Sequence, residues 1–221
     1  MYGHEMPRTR EPLSTERVLR AALALADAGG TDALSMRRLG QDLGVEAMSL
    51  YKHVANKDAI LDGIADLVVS EIALPEPGDG WKAAMRERGI SAHEVLLRHP
   101  WACALLMSRP NVGPAMLRYA NSTLGTLRGA GFSVRLADHA WNAMDSHIYG
   151  YTLQKLNFPF DPGQYAEAAG TYLPRLPDGA YPHLAEMAVT VMEGGYDGVV
   201  GFTFGLDLIL DGLERLLAAE L

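Results

Sequence analysis

The chain has 221 residues, which suits one large or two small domains, and it is 48% hydrophobic against 21% charged. That balance supplies a substantial core and excludes a chain disordered throughout. The net charge of −8 excludes a protein that coats nucleic acid along its whole surface. The charge is uneven, however: residues 1–60 hold eight Lys+Arg against eight Asp+Glu, and residues 61–221 hold 11 against 19. The N-terminal quarter alone meets a polyanion without strong repulsion.

Cys103 is the sole cysteine. An internal disulfide and a cysteine-built zinc site are excluded, and a reducing cytoplasm is the expected compartment. The N-terminus carries Glu5, Arg8, Arg10 and Glu11 and lacks the apolar core of a signal peptide. The most apolar stretch, 199-VVGFTFGLDLILDGLERLL-217, contains Asp207 and Asp211, so it reads as a packed helix rather than a membrane span.

In chain order, residues 1–13, with Pro7 and Pro12, read as a flexible arm. Ser14 or Thr15 caps a first helix with Glu16 in its first turn, where the dipole favours a negative charge. Val18, Ala21, Ala22, Leu25 and Ala28 give that helix its apolar face, and Gly29-Gly30 ends it. Ser35 opens the next helix, with Leu39 and Leu43 inward, and Gly44 stops it. Residues 46–53 form a short third helix anchored by Leu50, with Val45 and Val54 closing onto the core. Asn56 caps a fourth helix reaching about residue 73, with Ile60, Leu61, Ile64, Leu67 and Val68 as its stripe.

Pro75, Pro77, Gly78 and Gly80 mark a boundary. Further helices are predicted at about 81–98, 101–107, 112–129, 134–155, 164–172, 182–192 and 196–219, separated by loops with Pro159, Pro162, Pro174, Pro177 and Pro182. No strand alternation of useful length and no repeat occurs, so the fold is expected to be all-α.

The segment 35-SMRRLGQDLGVEAMSLYKHV-54 is a helix-turn-helix pattern. Ala47, Met48, Tyr51 and Lys52 share one face of its second helix, with Ser49 and His53 at the edges, while Leu50 faces the core. Such a face fits the major groove, and Ser35, Arg37, Tyr51, His53 and Lys57 stand where phosphates would be met. From spacing alone two other readings stand beside this one: an ordinary solvated surface, or a module that docks another protein. Salt separates the readings, because binding through several phosphates weakens steeply with ionic strength.

Residues 15–72 resemble the DNA-binding domain of the tetracycline repressor (TetR) family, through 18-VLRAALALADAGG-30 and 34-LSMRRLGQDLGVEAMSLYKHVANKDAIL-61. The segment 202-FTFGLDLILDGLERLL-217 more weakly resembles the last, dimerising helix of the tetracycline-repressor subclass. The resemblance implies phosphate contacts for Ser35 and Tyr51, a phosphate or base contact for Arg37, and base reading by Ala47, Met48, Ser49 and Lys52. It implies backbone clamping by His53 and Lys57. Ala47 and Met48 carry no hydrogen-bond donor, so hydrogen-bonded base reading is expected from Arg37, Ser49 and Lys52.

The implied architecture is a three-helix DNA-binding domain over residues 14–60, a connecting helix over 61–75 and a larger helical ligand-binding and dimerisation domain over 76–221. The implied function is a transcriptional regulator, most simply a repressor. It binds a palindromic operator as a homodimer and is released by a small-molecule effector. Independently of the resemblance, Gly194, Gly198, Gly201 and Gly205 fall mostly four apart, and Leu206, Ile209, Leu210, Leu213 and Leu217 form a stripe beside them. These supply a seam for a second copy, with 134–155 as the partner helix, or else bury the helix within one subunit.

Candidate pocket residues are Trp101, Met107, Met116, Trp141, Met144, Asp145 and His147. Each also suits plain core or interface, and a large, mostly apolar effector is expected. The positions that hold magnesium–tetracycline in the family fall on Ala73, Arg88 and Leu105, none of the required type, so no such complex is expected. No cofactor, metal or catalytic residue is expected either. His93, Glu94 and His99 lack metalloprotease spacing, and no nucleophile elbow, P-loop or dinucleotide fingerprint occurs.

Overall fold

A computed structural model describes residues 12–76, 80–158, 164–177, 179–195 and 201–220. Every regular element among them is helical: α1 (Thr15–Gly29), α2 (Met36–Leu43), α3 (Ala47–Leu50), α4 (Lys57–Ser70), α5 (Trp81–Arg98), α6 (Pro100–Ser108), α7 (Pro114–Gly129), α8 (Val134–Asn157), α9 (Tyr165–Tyr172), α10 (Pro182–Met192) and α11 (Phe202–Glu220). The N-terminal arm 1–11, Pro77, Gly78, Pro159, Pro162, Gly198 and the expected start of the last helix at 196 lie outside the described residues.

The chain forms two compact units. The first runs to Ile72 and takes in Arg98–Asn121; the second comprises Ala73–Leu97 and the chain from Ser122 onward.

In the first unit local chemistry fixes the helix ends. Ser14 accepts from the Arg17 amide at 3.2 Å, Ser35 from the Arg38 amide at 3.2 Å and Asn56 from the Ala59 amide at 2.8 Å, each satisfying an orphan donor of a first turn. Gly44 closes α2 in the left-handed conformation (φ 66°), which a side chain resists. Gly40 is required for a different reason: a Cβ there would lie 2.9 Å from the Val45 carbonyl oxygen, so the turn into α3 crosses α2 at backbone distance. Val18, Ala22, Leu34, Leu39, Leu50, Ile60 and Ile64 form one buried cluster.

Two helices are shorter than their sequence signals. Helix α3 covers only Ala47–Leu50, and 51–53 continue as turns, with the His53 and Val54 amides both bonded to the Leu50 carbonyl. Helix α4 stops at Ser70, whose hydroxyl donates to the Leu67 carbonyl at 2.6 Å; such local bonding competes with continuation of the helix.

Residues 98–116 are stitched to α1 and α4 within the same unit. Asp27 Oδ1 accepts the Trp101 indole N–H at 2.7 Å and lies 2.7 Å from His99 Nδ1. Glu71 pairs with Arg98 at 2.7 Å. Along α4, Arg109 reaches Asp58 at 3.2 Å and Asp62 at 3.0 Å. One turn further, Asp66 accepts the α7 amides of Ala115 (3.1 Å) and Met116 (2.9 Å), a charged cap on a helix start.

In the second unit, α11 packs on α8 and α5. Gly205 allows the approach to α8: a Cβ there would collide with the His147 ring. Arg86 forks onto Asp207 at 2.7 and 3.2 Å, and Lys82 spans Asp211 and Glu214, both at 2.7 Å. Hydrogen bonding to Asp211, foremost, and to Glu214 raises the Lys82 ammonium above its ordinary range. The expected two-subunit seam is corrected here. Leu206, Leu210, Leu213 and Leu217 are all buried in their own subunit, Ile209 is half-buried, and the outward side chains are Phe204, Leu208 and Leu216. The leucine spacing is satisfied by the same chain.

Candidate nucleic-acid interface and effector region

Leu50 orients the short helix α3. Its side chain is fully buried, which contributes roughly 2–3 kcal/mol and leaves the other side of the helix outward. Met48 is 75% exposed and Tyr51 47% exposed, the reverse of the usual placement of such side chains. Lys52 is exposed; Ala47, Ser49 and His53 are half-buried.

Arg37 stands exposed in the first turn of α2, directly after the Ser35 cap. Ser35 spends one lone pair on the Arg38 amide and keeps its hydroxyl proton for another acceptor. Lys57 is exposed at the first position of α4, where backbone amides favour an anion. The His53 carbonyl accepts the Thr15 hydroxyl at 3.0 Å, joining the end of the reading segment to the start of α1. Among the described residues, Arg37, Lys52 and Lys57 make no ion pair, so their charge is available to a phosphate.

The seven residues proposed for an effector pocket divide between the units. Trp101, Met107 and Met116 belong to the first. Trp101 spends its indole N–H on Asp27, Met107 is exposed, and the Met116 amide goes to Asp66. Trp141, Met144, Asp145 and His147 lie on α8. Met144 is wholly buried. Asp145 accepts the Trp141 indole N–H at 2.7 Å and pairs with the fully buried Arg88. His147 Nε2 lies 2.9 Å from the Phe202 carbonyl oxygen, and its ring stacks on Phe202 with centroids 5.0 Å apart.

The His93 ring also stacks on Phe202, with centroids 4.3 Å apart. The Thr152 hydroxyl donates to the Ile148 carbonyl at 2.6 Å, so its oxygen accepts the Nδ1–H of His93 at 2.7 Å. Burial, with Lys155 and His147 adding to it, lowers the His93 pKa to about 4. Sequence reasoning had weighed His93 only as a rejected metal ligand. Its spacing to Thr152 and Phe202 in the chain carries no signal of this cluster.

An apolar cavity of about 210 Å³ opens between α9 and α10, lined by Tyr165, Tyr172, Leu173, Leu184, Met187 and Val191 among others. None of the seven predicted residues lines it. Among the described residues no group of three or more His, Cys, Asp or Glu is placed to hold a metal ion, and no helix is long and apolar enough to cross a membrane.

A short outward-facing helix held over a leucine base, on an all-helical chain with a second helical unit, defines a helix-turn-helix regulator. Residues 18–64 match the family described as "Bacterial regulatory proteins, tetR family", and residues 74–217 match "Tetracyclin repressor-like, C-terminal domain". The chain belongs to the TetR family of ligand-responsive transcriptional repressors, which bind DNA operators as dimers. It is 32% identical to the HTH-type transcriptional repressor DrrR1 of Streptomyces coeruleorubidus, over 98% of this chain and 83% of that one. It is likewise 32% identical to the class D tetracycline repressor of Escherichia coli, over 95% and 93%. Apo ActR from Streptomyces coelicolor superposes with a TM-score of 0.82 at 31% identity, covering 96% of this chain and 99% of that one. ActR has also been solved in complex with actinorhodin, and that structure superposes with a TM-score of 0.76 at 31% identity, over 95% and 99%.

Proposed function

We propose that this chain is a cytoplasmic, non-catalytic repressor that reads DNA through Ala47, Met48, Ser49 and Lys52, with Arg37 adding a base or phosphate contact. Ser35, Tyr51, His53 and Lys57 hold the backbone. Two subunits set their reading helices into successive major-groove faces, roughly 34–36 Å apart, of a palindromic operator. The observation that carries this assignment is the pairing of a fully buried Leu50 with the outward Met48, Tyr51 and Lys52. The face of α11 bearing Phe204, Leu208 and Leu216 supplies the contact with the second subunit.

A mostly apolar small molecule is the effector, and it is bound by residues 76–221; the complex of the similar ActR with actinorhodin supports a small-molecule ligand. It acts by preferring the released state; about 1.4 kcal/mol of preference gives tenfold release. Selection of bound fragments from the source genome tests the operator assignment. Tyr51→Ala and Lys52→Ala are expected to lose binding to the recovered palindrome while sedimentation still gives a dimer. Full operator affinity in both variants would place the reading surface elsewhere.

A further inference from the structure

Helix α4 begins at the interface with Lys57 and then presents carboxylates at 58, 62 and 66, four apart and therefore on one face. The first two stand close to the position assigned to a phosphate, where they oppose binding. Both are occupied by one cation: Arg109 Nη1 lies 3.2 Å from Asp58 Oδ1, and Nε lies 3.0 Å from Asp62 Oδ1. The arginine is mostly buried, at 26% exposure, whereas the two carboxylates are 73% and 50% exposed. The pairing is thus a fixed guanidinium holding two otherwise solvated charges. The backbone beyond Arg109 is tied too, since Asp66 accepts the α7 amides of Ala115 and Met116. Helix α7 starts in the first unit and ends in the second.

We propose that Arg109 is a positioning residue for operator binding: shared between Asp58 and Asp62, it offsets one of their two charges, so that with Lys57 the start of α4 meets the operator neutral rather than anionic. The inference rests on the DNA-reading face proposed above. Without Arg109, which is carried on the segment between α6 and α7, two carboxylates beside Lys57 stand unpaired in each subunit. A single unit charge at about 10 Å in water changes affinity about twofold. Loss of one such cation per subunit, two across a dimer, changes it about fourfold at low salt and less where salt screens it.

The test uses the full-length protein and a duplex selected by the wild type from a random pool, with anisotropy titrations at two salt concentrations. Arg109→Gln is expected to bind about fourfold more weakly at low salt, with a smaller deficit at high salt. Adding Asp58→Asn and Asp62→Asn to it leaves one more net positive charge per subunit than wild type and is expected to restore wild-type affinity or better. A purely structural tie would not be rescued by removing its own partners. Should Arg109→Gln fail to fold, Asp58→Asn/Asp62→Asn alone decides: it is expected to bind at least as tightly as wild type. Unchanged affinity in Arg109→Gln, a triple variant as weak as the single, or weaker binding by the Asn pair each overturns the proposal. Selection that recovers no duplex with the wild type sinks the DNA-binding reading itself, and this inference with it.

Discussion

His93 ties the stability of the second unit to pH. Its ring donates Nδ1–H to Thr152 and is buried against Phe202, so a proton added at Nε2 must be carried in a desolvated place. The pKa falls from 6.5 to about 4 on folding. The unfolded chain therefore binds this proton more readily, and stability is full above pH 6.5 and is lost as pH falls toward 4. The linkage amounts to about 1.4 kcal/mol at pH 5.5 and about 2.5 kcal/mol at pH 4.5. Other groups titrate in the same range, so the informative quantity is the difference between wild type and His93→Gln. Urea unfolding followed by tryptophan fluorescence at pH 7.5, 5.5 and 4.5 measures it. The variant is expected to start less stable and to lose less on acidification, by the amounts above. Parallel stability–pH curves for the two proteins would refute the assignment of a buried neutral imidazole.

Three further expectations rest on single positions. Leu50→Ala, which empties the base under the reading helix, is expected to cost about 2–5 kcal/mol; chemical denaturation and a simultaneous fall in operator affinity check it. Gly205→Ala places a Cβ against the His147 ring and is expected to cost about 1–3 kcal/mol, read as a lowered Tm, with operator affinity per folded dimer kept. Calorimetric titration with tetracycline is expected to show no magnesium-dependent heat, because the family resemblance puts Ala73, Arg88 and Leu105 where the tetracycline-binding members hold the drug; tight magnesium-dependent binding would refute that alignment.

The reading unit was largely legible because its signals are local. Ser35 and Gly44 bracket α2 whatever the rest of the chain does, and Leu39, Leu43 and Leu50 lie within one turn or two of each other. The second unit was less so. The stripe from Leu206 to Leu217 announces that a face is buried, but a subunit's own α8 and a second copy satisfy the same spacing. Trp101 looked like a pocket residue because aromatic side chains line pockets; its bond to Asp27, 74 positions away, leaves no trace in periodicity. The partners of the carboxylates at 58, 62 and 66 lie at 109, 115 and 116, on chain folded back over α4, where no local spacing points to them. Nothing in the local sequence marks Gly40, since the carbonyl it accommodates lies across the turn.

Cys103 offers an experimental handle. It is buried, and burial pushes its thiol up to about 11, so thiolate is scarce at neutral pH and alkylating reagents react with it slowly. A cysteine introduced at an exposed site such as Asp32 becomes the preferred target without deleting the native one. One spin label per subunit then turns the distance between symmetry mates into a pulsed-resonance ruler, reporting directly whether an added compound spreads the two halves of the dimer.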